Sequence, residues 1–224
     1  MADRTVPVFD AEVPVCPRCL KPQPLCVCDE IEPVANRIAL LILQHPQEQD
    51  RLLGTARVAA QQFTQATLKV GLSWPSLAKA LGASADPKRW ATLFLGSTRA
   101  ADFPPGREVA VFDRKGAALS DQEGALRDIE GIVLLDGTWS QAKTLWWRNA
   151  WLLKSKRIAL KPRHPSLYGR RRREARREGL STIEAAGLVL SRLENRPEME
   201  VAVATIFRRM LARYDAATAQ PLPG

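Results

Sequence analysis

The stretch Leu134–Lys143 reads LLDGTWSQAK, and the fold turns on how it is parsed. It continues an apolar run, Ile132-Val133-Leu134-Leu135, of the kind that forms a buried strand. Asp136-Gly137 breaks the run. Thr138 and Gln141 then stand at the T-x-x-Q spacing of a capping box, which predicts a helix from Trp139. Strand, tight turn and helix put Asp136 at the carboxyl end of a strand, beside free helix N–H groups. In open α/β sheets that edge is where ligands bind. Gly137, with no side chain, would let the backbone approach a ligand closely. The same residues also suit an ordinary strand-to-helix turn, with Asp136 bonding its own backbone.

Upstream, strand and helix patterns alternate. Arg37–Leu43 (RIALLIL) reads as a buried strand that ends in Gln44-His45-Pro46-Gln47-Glu48. Arg51–Gln65 has helical spacing, Thr67–Val70 is a short strand, and Pro75–Leu81 is a short helix. Asp86-Pro87 marks another helix start. Ala91–Leu95 and Glu108–Phe112 are strands, and Ser120 with Glu123 caps a helix to about Ile129. Downstream, Arg157–Leu160 is the last strand. Ser181 and Glu184 form a second capping box ahead of a helix to about Glu194, and Pro197–Tyr214 is an amphipathic helix. The chain divides into an N-terminal arm with a cysteine segment (1–35), one α/β domain (36–214) and a tail (215–224).

All four cysteines, Cys16, Cys19, Cys26 and Cys28, fall in CPRCLKPQPLCVC. No apolar run reaches the length of a membrane span, and the first residues lack a basic region followed by an apolar one. The expectation is a soluble cytoplasmic protein. In that compartment clustered thiols favour metal over disulfides. C-x2-C and C-x-C in so short a span can close around one tetrahedral Zn²⁺, and the segment has too few apolar residues to fold unstapled.

The net charge is +9, and it is concentrated. Lys154–Arg177 carries eleven basic residues against one acid, Glu174, which leaves the rest of the chain near neutral. A neutral body with one basic segment is the footprint of a phosphate-backbone binder. The strand ends Gln44-His45, Gly96-Ser97-Thr98 and Asp136-Gly137-Thr138 are polar, and helix starts at Trp139 and Thr182 add N–H donors suited to a carboxylate or phosphate. No G-x-G-x-x-G, G-x-x-x-x-G-K-[ST] or G-x-S-x-G occurs, which argues against the common dinucleotide, ATP and serine-hydrolase sites. His45 and His164 each precede a proline and read as turn residues. Of Trp139, Trp146, Trp147 and Trp151, most read as core and one or two could stack on a base.

The cysteine cluster, HPQE (His45–Glu48), TAR (Thr55–Arg57), LDGTWSQA, the Tyr168 region with its arginines and LSTIEA (Leu180–Ala185) occur in an order that resembles the DTW-domain family of tRNA-uridine aminocarboxypropyltransferases. The resemblance implies a SPOUT-like knotted parallel sheet with flanking helices, preceded by a small zinc knuckle. It implies transfer of the 3-amino-3-carboxypropyl group of S-adenosylmethionine to N3 of a tRNA uridine, in the variable loop, with release of 5′-methylthioadenosine. Asp136 becomes the catalytic residue. Gly96, Ser97, Asp136, Gly137, Thr138, Trp139, Leu160, Lys161, Ser181, Thr182, Glu184 and Ala185 become the cofactor pocket. Arg57, Lys161, Arg163, Tyr168, Arg170, Arg171, Arg172, Arg173, Arg176 and Arg177 become the RNA contacts. Cys16, Cys19, Cys26 and Cys28 hold structural Zn²⁺. The TAR segment departs from the family's more usual TGR. Alternatives are an RNA methyltransferase of the same fold and a non-enzymatic zinc-containing RNA-binding protein. No membrane is involved, and the oligomeric state is open, with a monomer favoured.

Overall fold

The computed structural model describes residues 6–10, 12–93, 102–113, 115–169, 171 and 179–219. Six strands form one sheet: β1 (Ala39–Gln44), β2 (Ala66–Val70), β3 (Trp90–Leu93), β4 (Val109–Phe112), β5 (Gly131–Asp136) and β6 (Lys156–Leu160). Their order is β2-β1-β5-β3-β6-β4. All neighbours are parallel except β4, which runs antiparallel to β6. The expected all-parallel sheet is therefore mixed. β4 lies at the edge, where only one neighbour constrains its direction.

Period-two alternation explains why the central strands read as continuous apolar runs. Leu40, Ile42, Ile132 and Leu134 face one core; Leu41, Leu43 and Val133 face the other. Each strand is thus buried on both faces. The first core is closed by helices α1 (Ala56–Gln62), α5 (Thr182–Glu194) and α6 (Glu198–Ala219). The second is closed by α2 (Leu77–Leu81) and α4 (Trp139–Arg148), with Trp90, Trp151 and Leu152. Helix α3 (Gln122–Arg127) packs beside β4.

Local differences from the sequence pattern have identifiable causes. The helix expected from Arg51 begins only at Ala56. The carbonyls of Arg51, Leu52 and Gly54 are taken by the Lys21 ammonium, at 3.3, 2.7 and 2.7 Å, so they cannot serve a helical ladder. The Asp86-Pro87 start yields one 3-10 turn, Pro87–Arg89. α3 is capped by Asp121, which accepts from Gly124 N at 2.8 Å, and not by Ser120. α6 runs through Ala219, past the expected end at Tyr214.

The cysteine segment is part of the body. All four cysteines belong to the first core. Glu30 pairs with Arg209 and Arg213 of α6. Lys21, only 2 % exposed, ties the segment to the turn before α1. Burial pushes its ammonium down to about 8, against the pull of the neighbouring thiolates and of Asp136.

β5 begins on a glycine for a packing reason. A Cβ at Gly131 would lie 2.4 Å from the Trp90 ring, which is buried in the second core. Gly131→Ala should therefore destabilise the fold by about 1–3 kcal/mol, the usual cost of overpacking. The denaturant midpoint measures this. Adding Trp90→Leu should remove part of the penalty caused by Gly131→Ala, because the clashing ring is gone; strict additivity of the two changes would show the packing argument wrong.

Candidate active site

Parallel pairing brings the carboxyl ends of β1, β5, β3 and β6 to one edge. Gln44 and Asp136 are register partners there. Gln44 Nε2 donates to Asp136 Oδ2 at 2.8 Å, and Thr182 Oγ1 donates to Asp136 Oδ1. The carbonyl of Asp136 accepts from His45 N at 2.9 Å. One half-buried carboxylate therefore joins β1, β5 and the first turn of α5.

Both predicted capping boxes form. Thr138 N donates to Gln141 Oε1 at 2.6 Å and Thr138 Oγ1 accepts from Gln141 N. Ser181 and Glu184 repeat the arrangement at α5. Gln141 Nε2 also reaches Gln47 Oε1 at 3.2 Å, tying α4 to the turn after β1. Gly137 is required inside this box: a Cβ there would lie 2.8 Å from Gln141 Cβ. Its missing side chain makes room for Gln141, where the sequence had suggested room for a ligand.

The segment after β1 wraps toward the same edge. Thr55 Oγ1 accepts from Ile183 N at 3.3 Å, and Tyr168 Oη donates to Leu53 O at 2.6 Å. Two buried side-chain atoms on this segment, Gln44 Oε1 and Arg57 Nε, have no hydrogen-bond partner among the described residues. Gln44 is 2 % exposed. An unmet buried acceptor costs roughly 1–3 kcal/mol, so its place beside Asp136 suits a site that a ligand completes.

The remaining expected residues divide. Thr138 and Trp139 are exposed at the start of α4, and Leu160 is half-buried at the end of β6. Lys161 is exposed, with its ammonium 5.9 Å from the centroid of the Phe103 ring. Glu184 is engaged within the protein. Its carboxylate accepts from Ser181 N, Ser181 Oγ and Ser166 Oγ at 2.9, 2.5 and 2.6 Å, and from Leu167 N at 2.7 Å. It fixes the loop before the basic segment to α5. Ser181 and Ala185 are buried behind it. Tyr168, expected to contact RNA, is a correction. It is 2 % exposed with its ring 5.0 Å from that of Phe207, so no base can stack on it. Arg163 is exposed and 3.3 Å from Glu108. Arg171 pairs with Asp215 of α6. Gly96, Ser97, Arg170, Arg172, Arg173, Arg176 and Arg177 lie outside the described residues.

Sequence reasoning missed Gln44 as the partner of Asp136 and Thr182 as its second donor. A polar residue closing an apolar run was the available signal. Of the tryptophans, Trp151 is core, with Nε1 donating to Trp74 O at 3.1 Å, Trp146 packs against the second core, and Trp147 is 76 % exposed.

The four cysteine sulfurs lie within 4.8 Å of one another and are buried, with Cys16 and Cys28 Sγ 3.9 Å apart. Cys28 N donates to Cys26 Sγ at 3.4 Å. The hydrogen bond from Cys28 holds the Cys19 thiol down to about 5 and pushes that of Cys28 up. Four buried sulfurs at this spacing can hold one metal ion.

A cavity of about 440 Å³ lies elsewhere, between the 162–167 loop, α5 and α6. It shares Glu184 with the α5 start but not Asp136. Glu108 on its wall is paired with Arg163 and Arg192, and Arg192 with Glu200. The Asp136 edge differs from it in having an unmet buried acceptor, among the described residues, and converging strand ends.

The chain can be compared with known proteins. A protein of Macaca fascicularis named tRNA-uridine aminocarboxypropyltransferase 2 is 30 % identical over 187 residues, covering 81 % of this chain and 57 % of the relative. The Mus musculus protein of that name is 31 % identical, covering 84 % and 60 %, and the Drosophila melanogaster one 29 %, covering 82 % and 68 %. The chain thus spans less than two thirds of the mammalian relatives' length. No solved structure matches it. The family model described as DTW domain matches residues 13–215, nearly the whole chain, and the chain belongs to the DTW-domain family.

Proposed function

We propose that this protein is a tRNA-uridine aminocarboxypropyltransferase that uses S-adenosylmethionine as group donor and modifies N3 of a uridine in the tRNA variable loop. The observation that carries the reading is the Asp136 carboxylate, oriented by Gln44 and Thr182 beside a buried acceptor without a partner. The curated relatives' name supports it. The basic segment supports a polyanionic substrate. The insertion of β5 between β1 and β3, and of β6 between β3 and β4, supports the knotted SPOUT-like topology.

Bound at the strand edge, S-adenosylmethionine would supply a carbon activated by sulfonium, whose C–S electrons would pass to sulfur as 5′-methylthioadenosine leaves as a neutral thioether. The protein's task is the nucleophile. Uridine N3 carries a proton at neutral pH. Asp136 takes that proton, and the N3 electron pair forms the new N–C bond. Each Asp136 oxygen accepts one protein hydrogen bond and keeps further acceptor capacity for the proton. Gln44 Nε2 faces Asp136, which leaves its buried Oε1 as an acceptor for the ammonium of the aminocarboxypropyl group. The Arg57 guanidinium, with its buried Nε unmet, suits that group's carboxylate better than an RNA phosphate. Zn²⁺ at the four cysteines staples the N-terminal segment, whose Lys21 contacts brace the turn before Arg57.

Asp136→Asn keeps shape and one acceptor but cannot take a proton. It should bind S-adenosylmethionine within a few-fold of the unaltered protein and lose transfer by roughly 10²–10⁴, the usual worth of a general base. A near-normal rate would remove that role. Mass spectrometry of the small product checks the reaction itself: S-adenosylhomocysteine in place of methylthioadenosine would make the enzyme a methyltransferase.

Gln44→Met should raise the dissociation constant for S-adenosylmethionine by about tenfold or more, as expected for losing a hydrogen bond to a charged group. Unchanged cofactor affinity would remove Gln44 from the ammonium site.

Metal analysis should find one zinc per chain. A paired Cys16→Ser, Cys19→Ser change should abolish it and lower the melting temperature, because metal binding and folding are coupled. A metal-free protein that melts no lower than the zinc-loaded one would exclude the staple.

A further inference from the structure

The exposed side of α4 has no role in the chemistry above, yet it is built unusually. Trp139, Lys143 and Trp147 recur at intervals of four, so they form one row along the helix. Trp147 is 76 % exposed and Trp139 36 %. Lys143 Nζ lies 5.4 Å from the centroid of the Trp139 ring. The row spans about 12 Å at 1.5 Å per residue and begins three residues beyond Asp136. Leaving an indole in water forfeits a large burial gain, so the exposed Trp147, at the far end of a row that starts close to Asp136 in sequence, calls for an occupant.

The charge around the row selects among occupants. On α4 and the turn that follows it, Gly137 to Ser155, there is no acidic residue, while Lys143, Arg148 and Lys154 are basic and exposed. A second copy of the chain would bring another +9 protein to the same cationic face. Lys143 also divides the two indoles, so they do not form the continuous apolar patch of a protein interface. Aromatic rings interleaved with cations match single-stranded nucleic acid, whose bases stack on the rings while its phosphates meet the cations.

We propose that the exposed face of α4, with Trp147 and Lys143 as its working residues, is a stacking surface for unpaired nucleotides of the tRNA that flank the target uridine. The proposal rests on the tRNA-transferase reading and names where that substrate lies as it approaches Asp136. Trp147 supplies a sequence-tolerant stack and Lys143 a phosphate contact.

The test is tRNA binding by the full chain without cofactor, across a salt series. Trp147→Ala should weaken binding by roughly 5- to 150-fold, the worth of one base stack, with the salt slope unchanged. Trp147→Phe should hold within about threefold, because a ring remains. Lys143→Ala should reduce the salt slope by about 1. Val201→Ser, at another exposed apolar site on α6, should change nothing. Thermal melting controls for folding. Wild-type affinity in Trp147→Ala, or an equal loss in Val201→Ser, would overturn the proposal. So would unchanged tRNA affinity with a loss of dimer, which would give the face to a second copy. If the unaltered protein transfers the group to tRNA while Trp147→Ala binds normally, only the α4 surface falls. If the unaltered protein does not bind tRNA at all, the transferase reading falls with it.

Discussion

The carboxylate of Asp136 is the point on which three separate parts of the chain agree. Gln44 reaches it from the neighbouring strand, and Thr182 from a helix that begins forty-six residues later. The β1–β5 register sets the first contact, so Gln44 cannot move relative to Asp136 without slipping a buried strand. The capping box at Ser181–Glu184 sets the second, because it fixes where α5 starts and hence where Thr182 points. Hydrogen bonds to a charged group are worth about 1.5–3 kcal/mol each, enough to hold this geometry against the entropy of two short side chains. The same contacts that close the fold therefore orient the Asp136 carboxylate.

The cysteine segment enters this arrangement through Lys21. A buried ammonium is costly unless its donors are met, and here three carbonyls meet them. Those carbonyls belong to the turn that replaces the first part of the expected α1. The turn delivers Leu53 to Tyr168, and Thr55 beside it accepts from Ile183 N. The cysteine segment is thus connected, through one lysine, to the loop and helix start around Asp136. The Asp136 charge is itself felt at Lys21.

Much of this was legible in the sequence because it is local. Both capping boxes, the double-faced strands and the cysteine spacing are short-range patterns with a direct physical cause. What stayed hidden depends on partners far away in the chain. Nothing near Arg51 shows that its carbonyl goes to Lys21, so the helix was read too long. The direction of β4 depends on which edge it reaches. Tyr168 sits among arginines in sequence but is drawn inward by Phe207 and Leu53. Gln44 looked like the polar end of a strand, and only the β1–β5 pairing identifies it as the partner of Asp136. The Trp147 side chain is apolar, and hydrophobicity alone places it inside; helical phase around α4 places it in water.

The kind of donor around Asp136 bears on what it can do. Between Glu130 and Glu174 it is the only acidic residue in a stretch crowded with lysine and arginine. A guanidinium partner would have made it a structural ion pair. Its observed donors are instead a neutral amide and a neutral hydroxyl. They fix the orientation of the carboxylate without cancelling its charge. A polyanion approaching this edge would meet a stretch rich in cations with one carboxylate in it, held in place by Gln44 and Thr182. In the proposed reaction the positive charge would attract the RNA, while the Gln44 amide and the Thr182 hydroxyl would orient the carboxylate toward the uridine. Attraction and orientation would then fall to different residues: cations along the neighbouring chain for the first, and the two neutral donors at the carboxylate for the second.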